Sequence, residues 1–140
     1  MEKIDYIAQG KANRKKGAAF ELKVRKHYEN GGYGDGYLDV MKCQNNIDLD
    51  SGKWVKAKQK FIRGRGMGLG SGFPDFMIFT PKRVFFVECK TNGTLSKIEK
   101  LKCNAILKMG YGVWVAYQDG KEIGFREFVE YKERNVVRRK

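Results

Sequence analysis

Residues 72–90, GFPDFMIFTPKRVFFVECK, decide the fold, because they contain two apolar runs on either side of a short polar break. Both runs are rich in Phe, Val and Ile, residue types that are enriched in strands. The pattern predicts one strand over residues 75–79 and a second over residues 83–90, joined at Pro81 and Lys82. This part of the chain is therefore expected to form a β-hairpin.

The register of this hairpin determines which charged side chains meet. If the two turn residues lie at its centre, Asp75 is directly opposite Glu88, and opposite residues share a face. Side chains alternate along a strand, so Lys90 lies on the same face, one step beyond Glu88. Two carboxylates and one ammonium are therefore expected together at the end of the hairpin away from the turn.

Carboxylates placed this close together favour a divalent cation. Without one they repel each other, and the pKa of each is raised. Mg²⁺ and Mn²⁺ prefer oxygen ligands and retain waters, one of which can attack a phosphodiester. Lys90 could orient or deprotonate that water, or neutralise charge on the phosphorus. The Cys89 side chain points to the opposite face, and its backbone carbonyl is a further candidate metal ligand.

The same residues also allow a purely structural interpretation. Acidic residues at strand ends are often solvated, and Glu88 and Lys90 could form a surface ion pair. The apolar run over residues 84–87 favours the metal site instead. It predicts a central strand with two covered faces, where unpaired charges are costly.

The rest of the pattern predicts an α/β fold, with a mixed central β-sheet flanked by helices. Phe20, Val24 and Tyr28 recur at spacing four and predict a helix over residues 17–30. A second helix is expected over residues 96–109, where an apolar face ends at a glycine. The remaining expected elements are a buried strand over 112–117, a turn at 119–120 and a weak helix from residue 125.

The charge of the chain indicates a polyanionic partner. Lys and Arg total 29 against 16 Asp and Glu, which gives a formal net charge of +13. Nucleic acid is the common partner of such a surface. No apolar run approaches the ~18 residues of a membrane span and no secretory segment is present, so we expect a cytoplasmic protein without membrane association. Three cysteines without CxxC spacing and the single histidine, His27, argue against a disulfide scaffold and a two-histidine zinc site.

We expect a single domain over residues 1–140, in which three segments have special roles. They are a basic, partly flexible N-terminal arm (1–15), an inserted hairpin with a glycine-rich loop (31–70) and a basic tail (134–140). The candidate DNA contacts come from the arm and the insertion and are Lys15, Lys16, Lys56, Lys58, Lys60, Arg63 and Arg65.

The insertion is expected to place cations against a phosphate backbone. Its turn lies over residues 50–52, and in its second strand Val55 and Ala57 share the buried face while lysines occupy the other. Residues 64–72 have a glycine at every second position and are expected to form a mobile loop without regular structure. They contain neither GxGxxG nor GxxxxGK[ST], so no nucleotide cofactor is expected.

The motifs of the chain, taken together, resemble a known superfamily. Residues 72–75, GFPD, followed by residues 88–90, ECK, resemble the full signature of the PD-(D/E)XK nucleases. The continuation over residues 93–116 resembles the virus-type replication-and-repair nuclease (VRR-NUC) branch. Upstream, residues 16–21, KGAAFE, are similar to the N-terminal helix of archaeal Holliday junction resolvases. The resemblance covers residues 16–117, most of the chain.

The resemblance implies a restriction-endonuclease-like core and a Mg²⁺-dependent DNA endonuclease that leaves a 5′ phosphate, with Mn²⁺ as a substitute metal. It implies that Asp75 and Glu88 bind the metal and that Lys90 assists the water. It also implies that Glu21 is a helix-borne acid linked to the metal. Without the resemblance, Glu21 is interpreted as an exposed helical glutamate paired with Arg25 at i,i+4.

The chain departs from the family pattern in two places. The VRR-NUC pattern has a glutamine where this chain has Glu99. Ser96 and Glu99 have the spacing of a capping box, which accounts for Glu99 without a catalytic role, and Glu99 is also a candidate neighbour of the site. In addition, residues 31–70 separate the helix glutamate from Asp75 more than in the resolvases, which leaves the substrate open.

The expected function is a structure-specific DNA endonuclease, with a Holliday junction resolvase as the first hypothesis. A four-way junction needs two symmetric nicks, and a homodimer with one site in each protomer would supply them. The alternatives are a nuclease for flaps, nicks or single strands in replication or repair, and a non-catalytic DNA-binding module with the same fold. The resemblance also allows a viral or phage origin.

Overall fold

The computed structural model describes residues 6–31, 39–57, 60–62, 66–68 and 72–133, and for residues 6–11, 60–62 and 66–68 it describes the backbone alone. Two helices, α1 (Tyr6–Glu29) and α2 (Lys97–Lys108), lie in these ranges. The strands are β1 (Asp39–Lys42), β2 (Asn45–Asp48), β3 (Lys53–Lys56), β4 (Lys60–Ile62), β5 (Gly66–Gly68), β6 (Phe76–Phe79), β7 (Val84–Cys89), β8 (Gly112–Asp119) and β9 (Glu122–Glu127). In this described part of the chain, no helix is long and apolar enough to cross a membrane.

Five strands form the main sheet, in the order β1-β6-β7-β8-β9. The pair β7 and β8 is parallel, and the other three neighbouring pairs are antiparallel. A parallel pair needs a crossover connection, and α2 lies in the connection between β7 and β8. The sheet is therefore mixed, as the sequence pattern predicts.

Each face of the sheet packs against one helix. On one face, Phe20, Val24 and Tyr28 of α1 belong to a buried cluster with Ile78 and Phe85 of the sheet. The opposite face carries the cluster that includes α2, formed by Ile47, Phe73, Phe86, Leu95, Cys103, Ile106, Val113 and Val115. Since β7 contributes to both clusters, its apolar run has the two covered faces that the sequence predicts for a central strand. The chain is therefore mixed α/β, with a helix on either side of the sheet.

The β6–β7 hairpin has the predicted register. Phe76 pairs with Val87 in the antiparallel ladder, as expected for a turn centred on Pro81 and Lys82. The ladder ends at this pair, so Asp75 and Glu88 follow it at the end of the hairpin away from the turn. The register thus carries these two acidic residues to one end of the central sheet.

The N-terminal helix begins earlier than predicted. α1 starts at Tyr6, so the predicted start near residue 17 is wrong, and residues 6–15 of the expected arm are helical. The side chains of residues 12–16 are exposed, and the buried positions of α1 begin at Phe20. The first half of the helix therefore lacks the apolar periodicity by which a helix is predicted. Residues 1–5 of the expected arm lie outside the described residues.

The glycine-rich stretch contains a strand that the sequence did not predict. β5 (Gly66–Gly68) pairs antiparallel with β4, so the expectation of a loop without regular structure is wrong for these residues. Ladder hydrogen bonds need only backbone groups, so glycines can form a strand despite their entropy cost. Residues 63–65 and 69–71 lie outside the part of the chain that the structure describes.

Part of the predicted insertion belongs to the main sheet, and its second strand buries a different face from the one predicted. β1 pairs with β6, so residues 39–42 belong to the main sheet. β2 and β3 form the predicted hairpin, but Val55 is 43% exposed and not on the buried face. Trp54 stacks on Phe86 instead, with ring centroids 5.3 Å apart, because its partner Ile47 lies in the α2-side cluster.

The C-terminal region also differs from the prediction. β9 (Glu122–Glu127) pairs with β8, so the weak helix expected from residue 125 is wrong. The turn over residues 119–120 was predicted, and pairing across it overrides the local helical pattern. Gly124 lies opposite Tyr117, where a Cβ atom would approach the ring to 2.3 Å, which explains a glycine in this strand. The basic tail, 134–140, lies outside the described residues.

Candidate active site

The backbone before β6 fixes the position of Asp75. The Phe73 N–H donates to the Asn45 carbonyl at 2.9 Å, and the Cys43 N–H donates to the Asp75 carbonyl at 2.9 Å. Gly72 approaches this neighbour so closely that a Cβ atom would lie 2.2 Å from the Cys43 oxygen. The glycine of the GFPD motif is thus required by a backbone contact, and this contact holds Asp75 at the end of the sheet.

Asp75 and Glu88 meet as the register predicts. The side chains of the two residues hydrogen-bond each other, and Glu88 is only 4% exposed. Asp75 is also anchored by the backbone of the next strand, because its Oδ2 accepts the Cys89 N–H at 2.8 Å. Burial, with the hydrogen bond to Asp75 and the repulsion of its charge, raises the pKa of Glu88 far above its ordinary value.

Glu21 brings a third carboxyl group to the same place from α1. Its side chain hydrogen-bonds Asp75. Partial burial, this hydrogen bond and the charge of Asp75 raise the pKa of Glu21 to about 7, although Lys42 acts in the opposite direction. The alternative of a Glu21–Arg25 ion pair is wrong, because Arg25 pairs with Glu29 at 2.8 Å.

The three carboxyl groups form what we call the acidic cluster: Glu21, Asp75 and Glu88. A hydrogen bond between two carboxyl groups needs a proton on one of them, so the cluster holds protons that solvated acids would release. Among the residues that the structure describes, no three His, Cys, Asp or Glu side chains are arranged as metal ligands. The donor set nevertheless fits Mg²⁺ or Mn²⁺, because a divalent cation could replace the protons among hard carboxylate oxygens.

Lys90 and Glu99 form an ion pair beside the acidic cluster. The Lys90 Nζ lies 2.7 Å from Oε2 of Glu99. The other oxygen, Oε1, accepts the Ser96 N–H at 2.9 Å, and the Ser96 Oγ accepts the Glu99 N–H at 3.2 Å. The predicted capping box is therefore confirmed, and the same carboxylate also contacts the lysine.

This pair keeps Lys90 charged. Burial acts to lower the pKa of Lys90, but the hydrogen bond to Glu99 and the charges of Glu88, Glu99 and Asp75 raise it above its ordinary value. An ammonium donates hydrogen bonds and accepts none. The geometry thus favours Lys90 as a donor that orients a ligand or neutralises its charge, rather than as a base.

Cys89 lies between Glu88 of the acidic cluster and Lys90 in sequence, but its thiol is not part of the site. Its side chain packs against the α1-side cluster, and burial raises the pKa of this thiol. Its backbone N–H points toward Asp75. In a strand the carbonyl of a residue points to the same side as its N–H, so the Cys89 carbonyl also faces the side of Asp75.

A cleft of about 610 Å³ opens beside the acidic cluster. Its lining is formed by α1, the end of β1 and the turn after β7, and consists of Arg14, Gly17, Ala18, Phe20, Glu21, Lys42, Cys89, Lys90, Thr91, Asn92 and Thr94. Lys42 was not predicted at the site, and Arg14 was expected to touch phosphates only as part of the basic N-terminal arm. Seven-residue spacing from Glu21 on one helix face could have indicated Arg14. Lys42 carries no such signal in the sequence, because the unpredicted pairing of β1 with β6 brings it to the cleft.

The predicted DNA contacts are dispersed. Lys15 and Lys16 lie exposed on α1, outside the lining of the cleft, and Lys56 lies exposed on β3. For Lys60 the structure describes the backbone, which belongs to β4. The others, Lys58, Arg63 and Arg65, lie outside the described residues.

His27 lies near the end of α1 and packs against aromatic rings. Its ring packs on Phe125 with centroids 5.0 Å apart and meets Tyr28 edge-on. This packing accounts for the histidine without a catalytic role.

Comparisons with known proteins found no relative. No protein-family model matches the chain. No curated protein and no solved structure matches it either. The geometry of the site is therefore the basis on which a function is assigned.

Proposed function

We propose that the protein is a metal-dependent, structure-specific DNA endonuclease with a restriction-endonuclease-like core, and that it resolves four-way junctions. The observation that supports this most strongly is the acidic cluster beside Lys90. Three carboxyl groups, from α1, from the residue before β6 and from β7, meet at one end of the sheet, and the raised pKa values of Glu21 and Glu88 mark a place that would accept a cation.

Asp75 and Glu88 would hold Mg²⁺, or Mn²⁺ in its place, and Glu21 and the Cys89 carbonyl would complete the ligand set. The ion would supply a water activated for attack on a phosphodiester. Lys90 would donate hydrogen bonds to the phosphate oxygens and balance the charge that develops on them. Glu99 would fix the direction of that ammonium through the 2.7 Å contact between Nζ and Oε2.

The architecture is compatible with the PD-(D/E)XK resemblance. The motif residues lie on adjacent strands of a mixed sheet with a helix on each face, and the glutamate of the KGAAFE motif reaches the same point. The net charge of +13 favours a polyanionic substrate. Dimerisation follows from the chemistry, since paired symmetric nicks need two equivalent sites.

The test is cleavage of a labelled panel: a four-way junction, a flap, a nicked duplex and a single strand, each with Mg²⁺ and with EDTA. Paired symmetric nicks in the junction with Mg²⁺ alone are expected. Equal cutting of every substrate would contradict the resolvase assignment and favour a general repair or replication nuclease. Binding without products at any Mg²⁺ or Mn²⁺ concentration would leave a non-catalytic DNA-binding module.

A further inference from the structure

One face of α1 forms a wall of the cleft beside the acidic cluster. Arg14, Gly17, Ala18 and Glu21 all line the cleft. Gly17 and Ala18 follow Arg14 by three and four residues and precede Glu21 by four and three, so all four lie on one stripe of the helix. Arg14 precedes Glu21 by seven residues, which corresponds to about 10 Å along the helix axis. The wall therefore carries a carboxyl group at one end and a guanidinium group at the other.

The opposite wall is also polar and cationic. Lys42, at the end of β1, lines the cleft, and its charge acts on the pKa of Glu21. The turn after β7 adds Lys90 and the side chain of Asn92. The Asn92 Oδ1 accepts the Thr94 N–H at 3.0 Å, so the Asn92 amide group offers its N–H donors to a ligand.

The cations of the cleft that lie beyond the acidic cluster favour an anion with several negative groups. Arg14, Lys42 and Lys90 line the cleft with Glu21, and Lys90 is paired with Glu99, so the argument for a bound anion rests on Arg14 and Lys42. Lys15 and Lys16, the neighbours of Arg14 in sequence, do not line the cleft, because they lie on other faces of the helix. A chain of phosphates would meet cations on both walls, whereas one isolated anion could contact only part of the set.

We propose that this cleft is a phosphate-binding groove, in which Arg14 and Lys42 bind the backbone of the DNA strand on one side of the scissile phosphate. The inference rests on the proposed nuclease function and adds the course of the strand. About 10 Å separates Arg14 from Glu21 along the helix axis, so Arg14 is placed for a neighbouring phosphate of the strand rather than for the scissile one.

The test compares Arg14→Gln and Lys42→Gln with Lys26→Gln, which removes an equal charge from an exposed position on α1 outside the cleft. Binding of a labelled four-way junction is measured in EDTA from about 50 to about 200 mM salt, so that no cleavage interferes. We expect each cleft variant to weaken binding about threefold to tenfold and to reduce the slope of log Kd against log salt by about 0.7–0.9, the value of one phosphate contact. Lys26→Gln is expected to change the slope far less.

Equal slopes for the three variants would overturn the groove. Cleavage with Mg²⁺, measured on the same proteins, separates this outcome from failure of the nuclease proposal. If the variants show the expected binding pattern but the wild type gives no products, the groove proposal is supported and the nuclease proposal is overturned. If the wild type cleaves but binding is unchanged in both cleft variants, the nuclease proposal is supported and the groove proposal is overturned. Absence of junction binding by the wild type would overturn both.

Discussion

Two glutamates reach the same end of the sheet from opposite faces, and their surroundings differ. Glu21, on α1, hydrogen-bonds another carboxyl group, and burial with that contact raises its pKa. Glu99, on α2, is also partly buried, but the ammonium of Lys90 and the Ser96 N–H hold its pKa below the ordinary value. Glu99 is therefore paired with an ammonium within the protein, whereas the charge of Lys42 does not offset the burial of Glu21 and its contact with Asp75. Under the proposed function, the comparison separates the side that would hold the metal from the side that positions the lysine.

The largest effect is expected from breaking the acidic cluster at its centre with Asp75→Asn. The amide keeps an acceptor for the Cys89 N–H but cannot act as an anionic metal ligand. Even outer partners of metal ligands are worth about 10–100-fold in activity, so we expect junction cleavage to fall about a hundredfold or more. Junction binding in EDTA should stay close to wild type. Cleavage that persists at the wild-type rate would show that this cluster is not the catalytic site.

Glu21→Gln tests whether the α1 side contributes to the reaction. If Glu21 helps to hold the metal, cleavage should fall about tenfold to a hundredfold, with a partial recovery at higher Mg²⁺ concentration. The measurement is the cleavage rate as a function of Mg²⁺, with Lys26→Gln as a control on the same helix. An unchanged rate and metal dependence would reduce Glu21 to a structural neighbour of Asp75.

Glu99→Gln tests the α2 side. The variant removes the charge opposite Lys90, so we expect kcat to fall about tenfold with little change in KM, because the lysine would lose its fixed direction. Ser96→Ala is the matched control, since it removes the Oγ acceptor of the capping box and leaves the Lys90–Glu99 ion pair. It should cost about 1 kcal/mol of stability while kcat stays near wild type. Equal loss of kcat in both variants would assign Glu99 a purely helix-capping role.

The smallest effect is a dependence of metal-free stability on pH. The pKa of Glu21 rises from 4.5 to about 7 on folding, so the folded state binds this proton more tightly than the unfolded chain does. Its contribution is fully present below the unfolded value and is lost as pH rises through the folded value. We expect the Tm of the wild type in EDTA to fall more than that of Glu21→Gln between about pH 5 and about pH 8. Parallel curves for the two proteins would contradict this assignment.

The hairpin could be predicted because both its turn and its register are encoded locally. Alternation along two short strands fixes which residues share a face, and this placed Asp75 opposite Glu88. The capping box of α2 was predictable for the same reason, since Ser96 and Glu99 are three residues apart. Local spacing thus determined the central pair of the site and the helix that supports Lys90.

The missed features depend on contacts between distant segments. Lys42 reaches the cleft because β1 pairs with β6 across a long sequence separation. The first half of α1 carries no apolar periodicity, and its residues 12–16 are exposed. The predicted buried face of β3 was wrong because Trp54 packs on Phe86 from another sheet. Pairing and packing of this kind leave no pattern within a short window of sequence.

The most direct test of the central claim is binding of Mn²⁺ to the metal-free protein, measured by isothermal titration calorimetry in buffers of different ionisation enthalpy. The acidic cluster predicts one ion bound with release of protons, because the hydrogen-bonded carboxyl groups must ionise to become ligands. Asp75→Asn should lose this binding, and Lys26→Gln should keep it. Mn²⁺ binding that is equally strong in Asp75→Asn, or absent from the wild type, would contradict the account.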